Sequence, residues 1–327
     1  MAKSKLKHPF IIILFAIIVA AAAYFVFSKS TSNKVEKELE QWLAQNSLHE
    51  NLSWETLETS PKAVAKLGQV KIYDDALTLL LTAEELSINH YKENADVLEV
   101  DLEAKKLIDV EARIFQRQLS RYFADANLEA PEAIDLSWKM ALNKQLQSAF
   151  FNPVIELPEF MRLGLQLNTD SPEIYQQFVA LLNDVDGFEK YGVFNLIPHA
   201  GSVKLKQVVL DIEDLGGMSQ LQESLKQSML LGESTPEFDQ EREALWQNRL
   251  AESRMDCLHD GSLAVILQNH QQACESLIDF MGAKKSAIQL KITATKAISL
   301  EEVMLAGMMG LSIEMLLAKY EAKVVIE

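Results

Sequence analysis

The sequence predicts an α+β fold: an N-terminal transmembrane helix followed by a mainly antiparallel sheet with helices packed on one face. Three observations lead there. Phe10 to Phe27 is a run of 18 residues with no charge and no strongly polar side chain. Several later stretches alternate apolar and polar residues with a period of two, as half-buried strands do. Between them lie stretches with helix start and stop signals.

The apolar run comes first. As a helix rising about 1.5 Å per residue it spans roughly 27 Å, enough to cross a bilayer's hydrocarbon core. A removable signal peptide has a shorter apolar region, about 7 to 15 residues, followed by a small-residue cleavage site. Here Tyr24, Phe25, Val26 and Phe27 close the run with bulky side chains that suit a membrane interface. Ser28-Lys29-Ser30 could still serve as a poor cleavage site, which keeps a removed signal as the alternative, but the length of the run favours residues 10–28 as a retained anchor. Lys3, Lys5 and Lys7 precede it, whereas Lys29, Lys34 and Lys37 are interleaved with Glu36, Glu38 and Glu40. The positive-inside tendency then places the tail, residues 1–9, in the cytoplasm and everything beyond the anchor outside.

The chain carries 31 basic and 47 acidic side chains, and its first 29 residues hold four of the former and none of the latter. The remainder therefore has a formal charge of 27 − 47 = −20. Such a surface repels nucleic acid and anionic headgroups, so no nucleic-acid partner is expected. About 300 residues of ordinary hydrophobic content are long enough to bury a real core.

SNKVEKELEQWLAQ, Ser32 to Gln45, sets Val35, Leu39, Trp42 and Leu43 at helical spacing, which predicts a membrane-proximal helix within 29–50. The period then changes to two. VLEVDLEAK alternates Leu98, Val100 and Leu102 with acids; LSWKMALNK does so with Leu136, Trp138, Met140 and Leu142. MRLGLQLNT, IQLKITATK and the terminal KYEAKVVIE repeat the rhythm. One greasy and one wet face is the mark of antiparallel strands, because parallel sheets are covered on both sides.

Ser171-Pro172-Glu173 and Thr235-Pro236-Glu237 each offer an N-cap, a first-turn proline and an early acid. Ser299 to Glu302 has the form of a capping box. Met218 to Leu231 follows Gly216-Gly217, and Leu263 to Met281 reads as one helix ending at Gly282. The pattern predicts a loose strand-turn-helix unit recurring from VKLKQVVL, from AESRMDCL and from IQLKITAT. Phe151-Asn152-Pro153 to Pro158 divides a strand-rich part, 51–152, from an alternating part, 153–327.

With LSWETLETSPKAVAKLGQVKIYDDALTLLLTAEELSINHY, Leu52 to Tyr91, and the later DIEDLGGMSQL and DGSLAVIL, the layout resembles the AsmA-like and YdgA-like envelope proteins of Gram-negative bacteria. The resemblance covers the first third of the chain and continues in rhythm alone. It implies an uncleaved inner-membrane anchor, a periplasmic ectodomain and a role in envelope or lipid homeostasis. It brings no catalytic motif.

Four residues have metal-ligand chemistry: Cys257, His259, His270 and Cys274. His270 and Cys274 stand at i and i+4, on one side of a helix. The intervals fit no common zinc signature, and an exported chain sits where sulfurs are oxidised. A Cys257–Cys274 disulfide is therefore the first expectation, with unpaired thiols and a metal set as the alternatives. His259-Asp260-Gly261-Ser262 puts catalytic residue types side by side, but a triad is spatial and not sequential, so a turn with a helix cap is expected. Glu84-Glu85, Asp74-Asp75 and Asp184-Val-Asp186-Gly187 lack the remaining ligands of a calcium loop and are read as solvated turns. Met304, Met308, Met309 and Met315 form a candidate face for an apolar ligand, with core packing as the competing reading.

No nucleotide, cofactor or hydrolase signature occurs, so no cofactor and no catalytic turnover are expected. The expected function is that of a single-pass protein that binds or shields a lipid or apolar ligand. The alternative is a scaffolding ectodomain that docks another envelope protein.

Overall fold

The computed structural model describes residues 40, 44, 49–60, 64–74, 76–94, 96–143, 145–146, 148–170, 204–229, 235–299, 302, 317 and 319–327. The expected anchor, most of the expected membrane-proximal helix, the helix start at Ser171, the Asp184-Asp186 turn and the four methionines lie outside them. No helix among the described residues is long and apolar enough to cross a membrane.

In chain order the elements are β1 (Leu52–Ser53), β2 (Thr56–Ser60), β3 (Val64–Tyr73), β4 (Leu79–Glu93), β5 (Val97–Asp109), α1 (Gln116–Asp125), β6 (Ile134–Asn143), β7 (Ser148–Leu157), β8 (Met161–Asp170), β9 (Lys204–Asp214), α2 (Gly217–Met229), α3 (Pro236–His259), α4 (Gly261–Ile266), α5 (His270–Met281), β10 (Ala287–Ser299) and β11 (Ala322–Ile326). A mainly antiparallel sheet with a few helices is thus the fold class. The chain forms two compact units, one built from residues up to 117, 132–155 and 168–204, the other from 118–131, 156–167 and 205–327. Phe151-Asn152-Pro153 lies inside β7.

In the first unit the strand order is β1-β3-β4-β5-β6-β7, with β2 also on β3. The alternation in β5 does what its period demands: Leu98, Val100, Leu102 and Ala104 are buried. Antiparallel pairing sets Leu98 opposite Leu142, Val100 opposite Met140 and Leu102 opposite Trp138. Apolar side chains therefore stack across the strands on one face. Leu80, Leu81, Ile88, Leu107 and Leu142 are fully enclosed, each worth about 1.5–3 kcal/mol relative to exposure.

The first unit has irregularities with local causes. Lys106 (φ 52°) takes the left-handed conformation between Ala104 and Leu107, where the β5–β6 register shifts, and its N–H donates to Asp135 Oδ1 at 2.6 Å. Gly68 crosses β2 so closely that a Cβ there would sit 2.3 Å from Thr56 Oγ1. Glu84 and Glu85 are strand residues of β4, reaching Lys106 and Lys66, and not the turn the sequence suggested. Strand pairing overrides the weak β-propensity of consecutive acids. Asp74 does form a turn, accepting the N–H of Ala76 and of Thr78 on one oxygen.

In the second unit the order is β8-β9-β10-β11. Arg162 meets Glu213 while Gln166 meets Asp211, so β8 and β9 run antiparallel. Asp214 N–H donates to Ser286 O while Gln289 reaches back to Asp211, so β9 and β10 do too. On β10 and β11, Leu290 faces Ile326, Ile292 faces Val324 and Ala294 faces Ala322. Met218 of α2, Ile266 of α4 and Ala273 and Phe280 of α5 join these strands in one buried core.

Two expectations fail here. Leu263 to Met281 is two helices, α4 and α5, because the chain turns aside to bridge Leu267 to Val324 and Asn269 adopts a left-handed φ of 55°. Asparagine tolerates that conformation better than other residues with a Cβ. The second of the three recurring units has no strand, since AESRMDCL lies within α3. The buried stripe of that helix, Arg242, Trp246 and Leu250 at intervals of about one turn, lies just before this segment.

Candidate functional site

The chemistry-bearing residues of the second unit converge where α3 ends and α5 begins. Thr235 caps α3 by accepting the Phe238 N–H, Pro236 opens it, and Glu237 and Asp239 lie in its first turn. These signals suit the exposed donors and positive end of a helix start. The buried stripe of α3 continues from Leu250 to half-buried Cys257. On α5, Ala273 and Cys274 are wholly buried and Phe280 nearly so, which sets the inner face of that helix.

Cys257 and Cys274 are joined by a disulfide, with their Cα atoms 5.9 Å apart. His270, one turn before Cys274, donates through Nε2 to the Cys257 carbonyl at 2.8 Å. A ring nitrogen of His270 and the two sulfurs lie within 4.8 Å of one another. His259, the fourth residue of the set, is not in this group. Its Nδ1 donates to Met255 O at 2.7 Å, one turn back on its own helix. With both sulfurs in a covalent bond there is no thiolate to ligate a metal, so in this state the set is a helix clasp.

Around the clasp the helices hold each other by other means. Arg254 of α3 donates to Glu275 of α5 at 2.7 Å. Hydrogen bonds from Gln271 and from Arg254 hold the Glu275 carboxyl below the usual carboxylate range. Gly282, which ends α5, lies against Leu250: a Cβ there would be 3.4 Å from Leu250 Cδ1. The left-handed residue at this terminus is Ala283 (φ 49°) and not the glycine.

The tetrad His259-Asp260-Gly261-Ser262 is a helix junction. The Asp260 N–H closes α3 on Asp256 O and Cys257 O, and its Oδ1 accepts the Leu263 N–H of α4 at 3.3 Å. This is capping, which the sequence indicated.

Two constellations lacked a sequence signal. The Asp211 carboxylate accepts from Gln166 Nε2 at 2.9 Å and from Gln289 Nε2 at 2.6 Å, a polar clasp across three strands. Buried Asp109, at the end of β5, accepts four successive backbone N–H groups from Arg113, Ile114, Phe115 and Gln116 at 2.7 to 3.0 Å. Each joins residues whose meeting depends on register or on a loop path. Both are saturated by protein partners and build structure.

No known family model matches this sequence, and no curated protein is significantly similar to it.

Proposed function

We propose that the chain is a single-pass anchored protein of a bacterial cell envelope that acts by binding and not by catalysis. Residues 10–28 lie in the inner membrane, the N-terminus is cytoplasmic and the ectodomain is periplasmic. The observation that carries this reading is the uncharged run Phe10 to Phe27, with lysines before it and a body of formal charge −20 after it. The Cys257–Cys274 disulfide supports it, because such bonds persist in oxidising compartments. The resemblance to AsmA-like and YdgA-like proteins points to a lipid or other apolar ligand.

A second reading, a scaffolding ectodomain that docks another envelope protein, draws on one observation. In the second unit Ile288 of β10 and Val324 and Ile326 of β11 are at most 6% exposed in the core with α4 and α5, while Leu290, Ile292 and Ala294 of β10 are partly buried. A face that is this largely covered leaves little room for an acyl chain, so within the second unit it supports docking.

Membrane fractionation with sequencing of the mature N-terminus tests the anchor: the chain stays with membranes and begins at or near Met1. A soluble product starting near residue 31 overturns it. Lipid extraction and mass spectrometry of the purified chain separates the two binding readings. Reproducible co-purifying lipid supports the first; its absence, together with one stoichiometric protein partner in a pull-down, supports the second.

A further inference from the structure

Cys257, His270 and Cys274 bring three metal-ligating atoms within 4.8 Å of one another, and the disulfide ties up two of them. Three features make the bond more than a staple. Cys257 is half-buried while Cys274 is wholly enclosed, so an attacking thiolate has its approach from the Cys257 side. The helices that carry them are tied independently, by Arg254 to Glu275 and by Leu250 packed at Gly282. His270 already donates one ring N–H to a backbone carbonyl, which leaves its other nitrogen with a free lone pair. Metal-binding histidines carry this kind of outer hydrogen bond, which fixes the tautomer and the ring.

We propose that reduction of the Cys257–Cys274 bond turns this clasp into a site for one thiophilic divalent cation of the zinc class, held by Cys257, Cys274 and His270. The reductant is a dithiol. Its thiolate attacks the Cys257 sulfur and Cys274 leaves as thiolate; the second dithiol sulfur then resolves the mixed disulfide. The protein gains two electrons and two protons, and the dithiol becomes a disulfide. Cation binding displaces the two thiol protons to solvent and leaves a two-sulfur, one-nitrogen set with no net charge. Two thiolates and one imidazole leave the fourth tetrahedral position to water. The site is closed by oxidation and opened by reduction, and it stands whether or not the chain is anchored.

The test uses the full chain in detergent micelles, reduced under nitrogen with the reductant then removed, and titrated with Co²⁺ as the probe. The expected result is one Co²⁺ per chain, with a thiolate-to-cobalt charge-transfer band and the visible bands of a tetrahedral site, both abolished by Zn²⁺. The oxidised chain shows neither band. His270→Gln keeps a side-chain donor for the Cys257 carbonyl but removes the ligand nitrogen, so it retains a sulfur band and weakens binding by roughly tenfold or more. A reduced chain with its helical circular dichroism intact and no charge-transfer band overturns the site. So does equal Co²⁺ binding by the oxidised chain, or unchanged affinity in His270→Gln. Loss of helical signal on reduction overturns it as well, because the site requires α3 and α5 to stay together without the bond.

Discussion

Arg254 Nη2 lies 2.7 Å from Glu275 Oε1, beside the disulfide that joins the same two helices. The pair is exposed and its energetic weight small, whereas the covalent link spans a sequence separation of 17. A loop of that size stabilises by on the order of 3 kcal/mol, mainly through the unfolded chain. Reduction, or the Cys257→Ala/Cys274→Ala double variant, is therefore expected to lower the urea midpoint while far-ultraviolet circular dichroism keeps its native shape. An unchanged midpoint would show that the unfolded chain gains nothing from being released.

Gly217 and Gly261 are expected to respond oppositely to alanine. A Cβ on Gly217 would sit 2.5 Å from Phe160 Cδ2 and 2.6 Å from its carbonyl oxygen. Phe160 cannot withdraw freely, because its ring packs on Phe123 with centroids 4.6 Å apart. Gly217→Ala should cost about 1–3 kcal/mol, the usual range for overpacking. At Gly261 nothing lies within 4 Å and the residue opens α4, so alanine should be neutral or stabilising by less than about 1 kcal/mol. Equilibrium unfolding of both variants decides the comparison.

Asp109 gathers four backbone donors into a buried carboxylate. Asp109→Ala leaves those N–H groups without their acceptor; they belong to one exposed and three half-buried residues that water can partly reach, so the loss should be about 1–3 kcal/mol. Asp109→Asn retains one acceptor oxygen and should fall between wild type and alanine. If alanine unfolds at the wild-type midpoint, water must satisfy those donors and the carboxylate is dispensable.

Lys226 of α2 reaches Glu243 of α3 at 2.7 Å. Hydrogen bonds from Lys226, and then from Gln247, hold the Glu243 carboxyl below its usual range. A lowered folded pKa means stabilisation that is complete above the ordinary glutamate value and lost as the pH falls through the folded one. Glu243 is about half exposed, so the contribution is about 0.5 kcal/mol or less after solvent screening. Glu243→Gln should thus be slightly less stable than wild type near about pH 7, with the gap narrowing as the pH falls below the ordinary glutamate value. A gap that persists in acid would assign the effect to packing.

Period, composition and capping chemistry are local, and they sufficed for the strands β5, β6, β8, β10 and β11 and for the starts of α2 and α3. Alternation of Leu98, Val100 and Leu102 with acids leaves no other way to bury one face, and Thr235-Pro236-Glu237 leaves no better place for a helix to begin. The sequence also offered Cys257, His259, His270 and Cys274 as residues with shared chemistry, and of these His270 and Cys274, at i and i+4, share a helix side without tertiary help.

Tertiary structure alone decided what depends on partners distant in the chain. The helix written into Leu263 to Met281 is broken because Leu267 and Gln268 meet Val324, some sixty residues on, and that bridge outweighs the continuous helical period. The sulfur of Cys257 finds Cys274 because two helix stripes pack together, and the Cys257 carbonyl claims His270 in the same step. Spacing says which side chains leave a helix together; only packing, which sums many weak contacts over remote segments, says what they meet.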